Sequence, residues 1–124
     1  MKNIQELILL LIPMKYGTEH YIYYNWTDMY KIKNYSFKQA KKLNLTIKPS
    51  KSKGKKIDVY KNGTFIGSIG AIGYNDYPTY LELEQKGKVK KGTAEQRRKL
   101  YKIRHQKTRI KKYSKSWLAD KILW

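Results

Sequence analysis

With 124 residues the chain has the length of one domain, or of one domain with an extension, and its 40% apolar content supplies one modest core. Cysteine is absent, which excludes disulfides and thiolate metal sites. A net charge of +19, from 28 Lys and Arg against 9 Asp and Glu, points to a polyanionic partner: nucleic acid first, then an acidic protein or an anionic membrane surface.

Leu7 to Met14, LILLLIPM, is the most apolar run. It falls well short of the ~20 residues of a membrane span, and no small-residue cleavage site follows it. Neither a membrane span nor secretion is expected. The run reads as a short buried helix ended near Pro13, or as a contact surface through which residues 1–14 hold another copy or another protein. Glu19 to Trp26, EHYIYYNW, reads as a strand with Tyr21 and Tyr23 on one face. Residues 1–34 are assigned to an N-terminal extension and residues 35–124 to a basic domain.

That domain opens with a Ser36/Gln39 capping box and a helix to about Leu43. Leu45 to Lys48 reads as a strand stopped by Pro49, and Ser50 to Lys56, SKSKGKK, as a basic loop. Between residues 55 and 71 Asn62-Gly63 separates two β-rich runs, the dipeptide of a type I′ hairpin. A two-residue loop pairs Tyr60 with Phe65 and Val59 with Ile66, with Ile57, Val59 and Ile66 or the complementary face turned to the core. Gly67, Gly70 and Gly73 mark a bulge or a close backbone approach. Asp76 and Pro78 suit the start of a helix through Glu84, with Tyr77 and Leu81 on one face.

Thr93 to Lys112, TAEQRRKLYKIRHQKTRIKK, reads as one amphipathic basic helix opened by a Thr93/Gln96 capping box. Leu100, Ile103 and Ile110 share one side at 3.6 periodicity, the side expected to dock. Arg98, Lys102 and Arg109 fall opposite, with His105 at the margin. From Lys86 to Lys112 there are 13 Lys and Arg against the single acid Glu95. The last helix, Ser116 to Trp124, packs through Trp117, Leu118, Ile122 and Trp124. The class is therefore α+β: a small antiparallel sheet including the 55–71 hairpin, with C-terminal helices including a basic helix at 93–112.

The candidate phosphate contacts are Arg97, Arg98, Lys102, Arg104, His105, Arg109, Lys111 and Lys112, joined by Lys53 and Lys55 of the basic loop. Lysine outnumbers arginine 24 to 4, which favours point-charge backbone contacts over forked base reading. AT-rich coding produces the same skew, but it does not explain why all four arginines lie in the basic helix. Tyr74, Tyr77 and Tyr80 lie near these cations and offer faces on which single-stranded bases stack. The plainer reading, that the rings close the core, has the low Leu and Phe content behind it.

His20 and His105 are the only histidines and show no metal-ligand spacing. A metal-dependent nuclease would draw on Asp76, Glu82, Glu84, Glu95 and Asp120. Asp76 and Glu95 suit helix N-termini, Glu82 and Glu84 suit solvent-facing counter-charges, and Asp120 suits an ion pair with an arginine of the basic helix. No catalytic residue, metal or cofactor is assigned.

Four segments, DVYKNG (Asp58 to Gly63), SIGAIGYNDYPTYLE (Ser68 to Glu82), RRKLYKIRHQKTR (Arg97 to Arg109) and ADKILW (Ala119 to Trp124), occur in this order. Through them the chain from Ser36 to Trp124 resembles a family of small, basic, uncharacterised proteins of nucleocytoplasmic large DNA viruses and some tailed phages. The resemblance implies a viral origin and a place in the virion or the infected cell, and it implies no particular chemistry. The chain departs from the family in its first 35 residues and in Ser114-Lys115-Ser116, where the family carries glycine. The expected function is a viral protein that binds nucleic acid, DNA more than RNA, along the phosphate backbone with little sequence preference and condenses or packages the genome. The alternative is a structural virion protein that docks by its basic face, and the third reading is the nuclease.

Overall fold

The computed structural model describes residues 30–124 and, in the segment before them, the backbone of two strands. The chain divides into two compact units, Met1–Lys31 and Ile32–Trp124. In the first unit β1 (Leu7–Pro13) pairs antiparallel with β2 (Tyr21–Asn25), with an irregularity between Leu10 and Pro13. The apolar run is thus a strand and not the short helix expected of it. Its dense Leu and Ile content suits either state, and length alone does not separate them. The expectation that residues 1–14 mediate association falls on side chains outside the described residues.

The second unit is α+β. In chain order it holds α1 (Asn34–Lys42), β3 (Thr46–Pro49), β4 (Lys55–Lys61), β5 (Thr64–Ala71), α2 (Tyr77–Gln85), α3 (Thr93–Arg104) and α4 (Lys115–Leu123). The three strands form an antiparallel sheet in the order β3-β4-β5. Asn62 and Gly63 both take positive φ, +50° and +81°, as a type I′ turn requires. Tyr60 faces Phe65 as expected, but Val59 faces Gly67 and not Ile66, because a bulge between Val59 and Tyr60 shifts the register. The core face of the sheet is therefore Ile47, Ile57, Val59 and Ile69, all buried, while Ile66 is half-buried.

Helix α4 closes this core. Leu118, Ile122 and Leu123 are buried and Trp117 nearly so, with α4 lying on β5 and on α1. Gly70 makes this approach possible. It sits at φ +79°, and a Cβ there would stand 2.8 Å from Leu123 Cδ1 and 2.9 Å from Lys56 Cδ. Ser114 caps α4 by accepting the Trp117 amide proton at 3.1 Å, and the joint before it turns at Tyr113, φ +67°.

Neither capping box forms. Helix α1 starts at Asn34 without a side-chain cap, so Ser36 lies inside it and donates its hydroxyl to the Ile122 carbonyl at 2.8 Å. Gln39 donates to the Lys121 carbonyl. Both side chains join helices, a use that local sequence does not signal. At α3 the N-cap is Gly92, and the Thr93 hydroxyl turns back to the Lys90 carbonyl. The orphan amides of Gly92 and Ala94 are taken by Glu84 of α2, at 3.0 and 2.6 Å. These two donors hold the Glu84 carboxyl below its usual pKa. Glu84 is thus a cap and not merely a counter-charge. Glu82 bridges Lys33 at 2.7 Å and Lys86 at 3.0 Å, and the Lys33 contact leads in lowering its pKa to about 2. Asp76 caps α2 as expected, accepting from the Thr79 amide, with Pro78 in the first turn.

Among the described residues no helix is long and apolar enough to cross a membrane.

Candidate nucleic-acid interface

The basic segment differs from its expected form in length and in orientation. Helix α3 ends at Arg104, and residues 105–112 form turns. The cause is a carboxylate across the core. Asp120 of α4 is buried, accepts from Lys102 Nζ at 2.7 Å, and has Arg109 Nη1 3.8 Å from its second oxygen. Arg109 Nε also donates to the Lys102 carbonyl at 3.2 Å. The arginine folds back over the helix end, where carbonyls lack partners and a cation is favoured. Expected ion pairing at Asp120 thus occurs, with a lysine as the closer partner.

The same contacts turn the helix. Ala94 and Tyr101 are buried, and Arg98, Lys102 and His105 are half-buried on their side. Leu100, Ile103 and Ile110 are 43%, 62% and 72% exposed. The stripe expected to dock faces outward and the cations expected in solvent are drawn in. The two cations tolerate this because each finds a partner: Lys102 has Asp120, and Arg98 lies 4.6 Å from the centre of the Tyr77 ring.

A concave site lies beside Tyr101. It is a cleft of about 390 Å³ between the β5–α2 turn, α2, α3 and the end of α4. Arg97, Arg104, His105, Tyr74 and Tyr80 line it together with Leu100 and Tyr101. Tyr101 stacks on Trp124 (centroids 4.5 Å apart, planes at 9°) and lies against His105 at 4.3 Å. Burial pushes the Tyr101 hydroxyl up to about 12, with Asp120 adding to the shift. Lys56 and Asp76, paired at 2.8 Å, also contribute to the wall. Local sequence carries no signal for Tyr101, Trp124 or Lys56, since each reaches the cleft through tertiary packing.

The remaining candidates lie elsewhere. Lys53 and Lys55 are exposed at the β3–β4 loop and the start of β4, and Lys111 and Lys112 in the turns after α3. Tyr77 is half-buried, edge-on to Tyr35 at 5.3 Å beneath Arg98, so it belongs to the packing and not to the cleft. Among the described residues no three His, Asp or Glu side chains gather as a metal site.

Alkaline pH tests the burial of Tyr101. An ordinary tyrosine ionises near 10.0 and the folded one near 12. Between these values the unfolded chain holds fewer protons, so stability present below pH 10 is lost as the pH rises toward 12. Tyr101→Phe should show a shallower decline over the same window in urea unfolding followed at several pH values. Equal declines would place the hydroxyl in solvent.

No known protein family, curated protein or solved structure matches the chain.

Proposed function

We propose that the protein binds nucleic acid along its phosphate backbone with little sequence preference, and that it condenses or packages a viral genome. One observation carries the binding. Residues 30–124 hold 26 Lys and Arg against six Asp and Glu. Five of those six acids are engaged within the fold: Asp58 by Ser50 and Ser68, Asp76 by Lys56, Glu82 by Lys33 and Lys86, Glu84 by α3, and Asp120 by Lys102. The sixth, Glu95, lies in the first turn of α3. The outward cations thus have few carboxylates to answer them, and such an excess self-repels until a polyanion neutralises it. The same engagements leave the acids with structural work and argue against a nuclease. The viral setting rests on the resemblance of residues 36–124 alone.

A second reading, docking on an acidic virion protein, has Ile103 and Ile110 in its favour, since phosphate makes no use of exposed apolar side chains. Salt titration on duplex DNA separates the two readings. Backbone binding predicts a log–log slope of about −0.9 per phosphate neutralised and scrambled duplexes within about threefold of each other. Arg104→Ala should weaken all duplexes alike and flatten the slope by about 1. A flat salt response would remove nucleic acid as the partner, and a strong preference for one duplex would remove the backbone-only mode.

A further inference from the structure

Residues Arg97, Leu100 and Arg104 are spaced i, i+3, i+7, so they share one face of α3 over about 10 Å. All three line the cleft, giving it a cation, an apolar step and a second cation in a row. Opposite them stand Tyr74 and Tyr80, and Arg97 lies 5.9 Å from the centre of the Tyr80 ring.

Tyr74 is the unusual member. Its carbonyl accepts from the buried Lys56 ammonium, and its amide donates to the Ala71 carbonyl, so its backbone is anchored. The residue is nevertheless 75% exposed. An exposed aromatic side chain on an anchored backbone, in a cleft that two arginines also line, offers a stacking face at little ordering cost. The cleft volume of about 390 Å³ lies at the small-ligand end of binding sites. A base inside a duplex is already stacked on both faces, and bringing it out costs a few kcal/mol.

We infer that this cleft takes one unpaired nucleotide of a single strand, its base against Tyr74 and Leu100 and its phosphates at Arg97 and Arg104. The inference rests on the nucleic-acid reading and adds to it a preference for unpaired segments. An acidic peptide would use the arginines but not the open tyrosine face.

The test measures anisotropy of a labelled oligothymidylate and of a labelled duplex with the same number of phosphates, with the full chain. Tyr74→Ala should weaken the single strand at least about fivefold and leave the duplex within about twofold. Tyr74→Phe, which keeps the ring, should bind both as the wild type does. Lys111→Ala, outside the cleft, should weaken both alike. Circular dichroism of each variant establishes that the fold is retained. The inference is overturned if Tyr74→Ala affects both ligands equally or neither, or if polyglutamate of equal charge displaces the oligothymidylate as well as an unlabelled strand does. In those cases salt-dependent wild-type binding would leave the phosphate-backbone reading standing. Wild-type protein that binds neither ligand would remove both.

Discussion

Asp76→Ala should destabilise the second unit by about 3–5 kcal/mol, more than any surface change. Asp76 is 1% exposed and serves two elements at once. One carboxylate oxygen accepts the Thr79 amide proton at 3.0 Å and caps α2. The other accepts from Lys56 Nζ at 2.8 Å. Lys56 is itself 4% exposed, so alanine at 76 leaves an ammonium in the interior without its carboxylate. That uncompensated charge, and not the lost attraction, dominates the cost. Removing the charge as well should recover much of it. The double variant Lys56→Met/Asp76→Ala is expected to be more stable in urea than Asp76→Ala alone, since Met fills similar space without a charge. A double variant as unstable as the sum of the single changes would mean that the two side chains act independently, and the pair would then be two separate polar contacts.

The features legible in the sequence are those that a few neighbouring residues decide. Asn62-Gly63 fixes the hairpin because both central φ angles of its turn are positive. Asp76 with Pro78 fixes the start of α2, and the apolar side chains of the last nine residues announce a docked helix. What is not legible depends on partners distant in sequence. The Ser36/Gln39 and Thr93/Gln96 pairs have the spacing of capping boxes, yet Ser36 is claimed by Ile122 and the α3 amides by Glu84. The period of Leu100, Ile103 and Ile110 is helical, but the core side of α3 is set by Asp120 and by the rings of Tyr77 and Trp124. Amphipathic periodicity assumes that charge stays in water, and here long cationic stems cross apolar surface to reach buried or aromatic partners. The cleft shows the same division. Tyr74, Tyr80, Arg97, Arg104 and His105 stand out in the sequence, whereas their convergence, and the removal of Tyr77 and Arg98 from the group, follow from the turn of α3.

That turn also sets where truncation hurts. Leu118→Ala should cost about 3–5 kcal/mol, in the upper part of the range for buried leucines, because the surroundings cannot collapse into the cavity. Leu118 is fully buried and its Cδ1 lies over Gly67 of β5. The helix that carries it is pinned on its other side, where Ser36 and Gln39 of α1 donate to the Ile122 and Lys121 carbonyls. Further along, Leu123 already meets the space above Gly70 without room to move closer. Ile103→Ala, by contrast, should change stability by no more than about 0.5 kcal/mol, since its side chain is largely in solvent, and Leu100→Ala, at a partly covered position, should cost far less than Leu118→Ala. Urea unfolding of the three variants gives the comparison directly. If Ile103→Ala cost as much as Leu118→Ala, α3 would dock by its apolar stripe. Lys102 would then be free of Asp120, and the arrangement of arginines along the cleft would have to be redrawn.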